Sequence, residues 1–139
     1  KDMPMIMAYH YIPYVATATI AYTEDFIRKA RKAASIKGFK YIHVLQPCPT
    51  GWRYPPDKTV EMSRLAVQTR TRNLYEIESG TVRITLKPRQ RPVYDYLSQQ
   101  GRFAHLKKEH VQEIQTRADH DWKRLEWLDR RNMWMPWVS

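Results

Sequence analysis

A run of β-branched and small residues, Ile12-Pro13-Tyr14-Val15-Ala16-Thr17-Ala18-Thr19-Ile20, leads directly into a helical pattern and then into a second strand-like run, Tyr41 to Leu45. No other feature constrains the fold as much. The first run reads as a buried strand with Pro13 at its start, because a proline has no N–H to give to a ladder. Thr23 reads as a helix N-cap, with Glu24 and Asp25 in the first turn where the dipole favours acids. Phe26, Ile27, Ala30, Ala33, Ala34 and Ile36 recur at helical spacing with basic residues between them, and Gly38 in the C′ position ends the element. Strand, helix and strand in this order imply two parallel strands with a right-handed crossover. The expected class is α/β: a partial doubly wound parallel sheet with a C-terminal hairpin and a long helix.

Beyond the loop Pro47 to Pro56, Asp57 or Thr59 caps a second helix whose apolar positions are Met62, Leu65, Ala66 and Thr69. Leu74 to Glu78 and Thr81 to Leu86 read as paired strands turning at Ser79-Gly80, with Val82, Ile84 and Leu86 on one face. Lys87-Pro88-Arg89-Gln90-Arg91-Pro92 is a basic, proline-broken surface strap. A long helix follows from about Lys107 to Arg131, with Val111, Ile114, Ala118, Trp122, Leu125 and Leu128 on one stripe. The tail Met133-Trp134-Met135-Pro136-Trp137 has the density of aromatics and methionines that marks an interface with another subunit.

Cys48 is the single cysteine, so an internal disulfide and a metal site made of several cysteines of this chain are both excluded. One thiol points to a reducing, cytoplasmic setting. No apolar stretch approaches the roughly 18 residues of a membrane span, and Lys1-Asp2-Met3-Pro4 lacks the layout of a signal peptide, so no membrane is expected. The net charge of +10 raises the question of nucleic acid, but the basic residues alternate with Glu24, Glu61, Glu109 and Asp119 along polar helix faces. That pattern is a solvated surface, suited to docking an acidic protein, and no nucleic-acid partner is expected.

Cys48 lies in Pro47-Cys48-Pro49, just past the carboxyl end of a strand, where α/β sheets place ligands. Each proline locks its own φ and Pro49 restricts Cys48, so the thiol loses little entropy when fixed. Two readings stand: a half-buried structural thiol, or a held ligand or nucleophile. As a nucleophile it needs a base such as His43 or His10, which the spacing does not offer. His105, His110 and His120 form no zinc pattern, and the chain contains no G-x-G-x-x-G, phosphate loop or G-x-S-x-G elbow. No catalytic residue is assigned.

Several segments, taken in order, resemble the C-terminal part of the β subunit of 2-oxoacid:ferredoxin oxidoreductases, the pyruvate synthase family. They are Lys1-Asp2-Met3-Pro4 with Ala8-Tyr9-His10, the run Ile12 to Ala18, Gly38 to Leu45, Pro47-Cys48-Pro49-Thr50-Gly51-Trp52-Arg53, Leu74 to Glu78 and Gln100-Gly101-Arg102-Phe103. The resemblance covers Lys1 to about Trp122. It implies an enzyme that binds thiamine diphosphate with Mg²⁺, decarboxylates a 2-oxoacid such as pyruvate, hands the acyl group to coenzyme A, and passes electrons through [4Fe–4S] clusters to ferredoxin. Cys48 matches the family's fourth cluster cysteine, and Thr50 and Gly51 are placed to offer backbone N–H groups to cluster sulfurs.

The same resemblance divides the chain into 1–86, the C-terminal half of the thiamine-diphosphate-binding domain, and 87–139, a basic connector with a helical extension. The family's other three cysteines and its Gly-Asp-Gly motif belong upstream of Lys1. The expected partners are therefore the N-terminal part of the β subunit and the other oxidoreductase subunits, and the chain alone is expected to be inactive. At Thr69-Arg70-Thr71-Arg72-Asn73 the sequence is basic and polar where the family has a Gly, an aromatic and a Pro. The competing expectation is a non-catalytic assembly module derived from this family, with no metal at Cys48.

Overall fold

The computed structural model describes residues 2–132; the interface expected at Met133 to Trp137 lies outside them. A first helix, α1 (Met3–Ala8), precedes the strand–helix–strand unit, which consists of β1 (Tyr14–Thr19), α2 (Thr23–Ser35) and β2 (Lys40–Leu45). Then come α3 (Pro49–Trp52), a 3₁₀ turn at Pro56–Lys58, α4 (Thr59–Gln68), the hairpin β3 (Tyr75–Glu78) and β4 (Thr81–Ile84), α5 (Val93–Leu97), a 3₁₀ turn at Gly101–Phe103 and α6 (Lys108–Arg131). The sheet order is β2-β1-β3-β4. β1 and β2 are parallel over their whole length, Tyr14 facing Lys40 and Thr19 facing Leu45, while β3 joins β1 antiparallel and β4 closes the edge. The class is α/β with the hairpin and the long helix in place. The parallel pair is the one the strand–helix–strand unit dictates.

The hairpin turns where the sequence indicates. Ser79 and Gly80 both have positive φ, 46° and 80°, the condition of a type I′ turn whose twist matches the flanking strands. Its inward residues complete a core. Val15, Ile77 and Val82 pack under Met5 and Ala8 of α1 and under Leu125 and Leu128 of α6. The second face of β1 presents Tyr14 and Ala16 to Ala33 of α2, and a third cluster joins Met62 and Leu65 of α4 to Val93, Leu97 and Ala118. The α6 stripe is therefore core from Ala118 to Leu128 and half-buried at Val111 and Ile114.

Three local expectations change. Tyr22, not Thr23, occupies the α2 N-cap, and the Thr23 hydroxyl donates to the Ile20 carbonyl at 3.2 Å. The helix stops at Ser35 with Ile36 extended, so Gly38, at φ +97°, lies one residue beyond C′. Ahead of α4 a 3₁₀ turn intervenes; Lys58 is the N-cap, and Thr59 donates to the Pro56 carbonyl at 2.6 Å.

The larger change concerns the buried face of α2. Ile27 is 44% exposed and Ala30 and Ala34 also face solvent, whereas Lys29 is completely buried. Its ammonium donates to the Thr17 carbonyl at 2.8 Å and to Thr85 Oγ1 at 2.7 Å, and pairs with Asp25 at 2.6 Å. Three acceptors offset the loss of hydration, and the four-carbon stem supplies apolar surface. Burial still pushes the Lys29 pKa down, against the upward pull of Asp25. Beside it, Glu76 accepts from Tyr14 at 2.8 Å and pairs with Lys32 at 3.0 Å. A charged layer, rather than aliphatic packing alone, joins α2 to the sheet.

Candidate functional site

The Cys48 loop is built at the end of the parallel pair. Thr19 Oγ1 donates to the Leu45 carbonyl at 3.0 Å, tying the carboxyl ends of β1 and β2 together. Pro47 is buried, which anchors the chain, and Cys48 emerges exposed. Cys48 is the N-cap of α3, with φ −108° and ψ 107°. Pro49 follows in the first helical turn, where a missing N–H costs nothing. The Sγ accepts the Gly51 N–H at 3.4 Å, and the Trp52 N–H reaches the Cys48 carbonyl at 2.9 Å. Arg53, at φ +58°, ends the helix.

Residues far along the chain clamp this loop. The Gly101 N–H donates to the Arg53 carbonyl at 3.0 Å. A Cβ at position 101 would stand 2.8 Å from Arg53 Cβ, so only glycine permits the approach. Arg102 then lays its guanidinium over the Trp52 ring, 3.8 Å from its centre, and over Phe103 at 4.4 Å, while its Nε donates to Gln100 Oε1 at 2.9 Å. The role of Gln100 to Phe103 was invisible to residue-type reasoning. A glycine followed by an arginine and an aromatic was the available signal, but its partner lies some fifty residues upstream.

Of the residues singled out in sequence, the fold brings Gly51 to Cys48 through a backbone N–H. Thr50 sits exposed on the same turn with its hydroxyl uncommitted among the described residues. Among the described residues no imidazole is hydrogen-bonded to Cys48. His43 turns instead toward Arg72, which donates to its carbonyl oxygen. Burial, and then the Arg72 charge, lower the His43 pKa below its ordinary value, with Asp2 opposing. Among the described residues no group of three or more His, Cys, Asp or Glu side chains could hold a metal ion.

No family model matches the chain. Individual proteins do. The chain is 59% identical over 126 residues to pyruvate synthase subunit PorB of Methanocaldococcus jannaschii, a match covering 90% of this chain and 42% of that subunit. It is 46% identical over 131 residues to ketoisovalerate oxidoreductase subunit VorB of Pyrococcus furiosus, covering 92% of this chain and 42% of that subunit.

The chain is homologous to the C-terminal part of the 2-oxoacid:ferredoxin oxidoreductase β subunit.

A third relative, pyruvate synthase subunit PorB of Thermotoga maritima, is 43% identical over 135 residues, again 42% of its length. The chain thus spans less than half the length of the curated relatives it matches. In it, the Cys48 loop occupies the rim of the sheet with its thiol facing outward. No helix among the described residues is long and apolar enough to cross a membrane.

Proposed function

We propose that this segment works as part of a multi-subunit 2-oxoacid oxidoreductase, with pyruvate as the leading substrate, and that Cys48 supplies one thiolate to a [4Fe–4S] cluster. The other three ligands, and most of the groups that hold thiamine diphosphate and Mg²⁺, come from the rest of the β subunit. Residues 1–86 then belong to half of the thiamine-diphosphate domain, and 87–139 to a basic connector and C-terminal helical extension. Coenzyme A and ferredoxin are the acyl and electron acceptors of the complete assembly.

One observation carries the cluster reading: an exposed lone thiol, fixed between two prolines, that accepts a backbone N–H. Free cysteine is among the most buried residue types. A sulfur held outward with a donor already directed at it fits a thiolate ligand, because such hydrogen bonds stabilise negative charge on sulfur. A bound cluster would supply one-electron transfer. The residues here fix the sulfur's position: Pro47 and Pro49 restrict the backbone, Gly51 offers its N–H, Thr50 leaves a second amide on the same turn, and Arg102 holds Trp52 in place.

Changing Cys48 to Ser in the assembled enzyme, isolated without oxygen, tests this reading. The variant is expected to lose one cluster's iron and sulfide, its electron-paramagnetic signal, and ferredoxin-coupled turnover. Unchanged iron, sulfide and signal would contradict it and favour the assembly-module reading.

A further inference from the structure

Arg102 is half-buried and held from several sides, and every group that holds it is uncharged. Its guanidinium lies over the Trp52 and Phe103 rings, and its Nε donates to Gln100 Oε1. Gln100 is fixed in turn: it is buried, and its side-chain nitrogen donates to the Tyr96 carbonyl at 2.8 Å. Burial raises the Tyr96 pKa against the opposing charge of Arg102, so that phenol stays neutral as well. Among the described residues no carboxylate pairs with Arg102. Its positive charge is therefore fixed in place and lacks a counter-charge.

A stack alone does not call for a cation. An aliphatic side chain would cover the Trp52 ring without taking a guanidinium partly out of water. What distinguishes the arginine is where it puts its charge. Cys48 is the N-cap of α3 and Trp52 its last residue, so the two stand about 6 Å apart along the helix axis. With the guanidinium carbon 3.8 Å from the Trp52 ring centre, the cation lies within roughly 15 Å of the Cys48 sulfur. The approach at Gly101, which has no room for a Cβ, keeps the neighbouring residue from drifting away. Arg53, the other cation on this rim, is exposed, and solvent screens it.

We propose that Arg102 sets the reduction potential of the cluster at Cys48, its fixed charge favouring the reduced form. This rests on the ligand role of Cys48 put forward above. One-electron reduction adds a negative charge to a cluster, and the charge of the surroundings is one of the levers that set its potential. A cation held half-buried and unpaired acts through a lower effective dielectric than a solvated one, so its influence survives over this distance. Arg102 then has two parts, which different substitutions separate: its plane holds Trp52, and its charge raises the potential.

Redox titration of the assembled enzyme, prepared without oxygen and followed by electron-paramagnetic resonance, tests the assignment. The signal to follow is the one that Cys48→Ser removes. Arg102→Met and Arg102→Gln should keep their iron and sulfide but shift the reduction equilibrium about threefold to tenfold toward the oxidised form, at about 59 mV per tenfold for one electron. Arg102→Lys, which keeps the charge, should stay within about twofold of the native equilibrium. If one neutral variant fails to assemble, the other decides the question. A native potential in the neutral variants, an equal shift in Arg102→Lys, or loss of the cluster from both neutral variants would overturn the proposal, the last by leaving Arg102 a structural part alone. A native potential in R102M leaves Cys48 as a ligand. Unchanged iron, sulfide and signal in C48S would instead sink the ligand reading, and this assignment with it.

Discussion

Arg102 stacks on Trp52 with its guanidinium carbon 3.8 Å from the ring centre, joining the 3₁₀ turn after α5 to the short helix that Cys48 opens. Trp52 is the last residue of α3, so the stack closes the four-residue helix from the end opposite the thiol. Such contacts are worth about 0.5–2 kcal/mol depending on desolvation. Arg102→Ala is expected to lower stability by about 1–2 kcal/mol in urea unfolding, and Arg102→Lys by less, since the ammonium keeps the charge but loses the planar contact. Equal losses in the two variants would show that stacking is not the source.

The neighbouring glycine makes a sterically distinct prediction. Gly101→Ala puts a methyl 2.8 Å from Arg53 Cβ and 3.2 Å from the Arg53 carbonyl oxygen. Relief requires moving backbone, and the expected cost is about 1–3 kcal/mol, as for other overpacked sites. A thermal melt of the variant measures it, and an unchanged midpoint would mean that the two segments separate freely.

Lys29 predicts that shape matters more than charge beneath α2. Lys29→Ala leaves a cavity and strips Asp25 of one of its two cationic partners, Arg28 remaining at 2.8 Å. About 3 kcal/mol should be lost. Lys29→Met keeps the volume and removes a buried charge, so its cost should stay within about 1.5 kcal/mol. Chemical denaturation of the pair checks the ranking, and equal losses would assign the stability to the ion pair instead.

How much of this was readable in sequence follows from the range of the interactions. The parallel pair and its helix follow from a local β-branched run and a local helical spacing; the hairpin follows from Ser79-Gly80, and the α6 stripe from its own period. The buried face of α2 does not. Asp25 lies within the helix, but the other two acceptors for Lys29 are Thr17 and Thr85, 12 and 56 residues away in the chain, and no window along the helix contains them. α1 carried a readable signal in Asp2 as N-cap with a proline in the first turn, but at six residues it is too short for a period to show. At the candidate site the Cys48 loop was evident from its two prolines, while its clamp at Gly101 and Arg102 required the tertiary fold.

Glu76 sets a pH dependence. Burial alone would raise its pKa, but hydrogen bonds from Lys32 and Tyr14 and the charges of Lys32 and Arg28 outweigh it and hold the carboxyl below its ordinary 4.5. Near that pH the folded carboxyl binds fewer protons than the unfolded one. Its contribution is therefore complete above about 4.5 and drains away as pH falls through the lower folded value. Glu76→Gln should cost about 2 kcal/mol at neutral pH, in the range for hydrogen bonds to charged groups. The gap to the native protein should close in acid. Urea titrations from pH 7 to pH 3 measure it, and a gap independent of pH would remove Glu76 from this role.

The most decisive measurement is iron-edge anomalous scattering from crystals of the assembled enzyme prepared without oxygen, read at the Cys48 sulfur. An iron–sulfur cube bonded to Cys48 Sγ, its remaining three cysteine ligands drawn from outside this chain, is the expected result. A thiol with no iron in bonding range, in an assembly whose clusters are otherwise fully occupied, would contradict the ligand role.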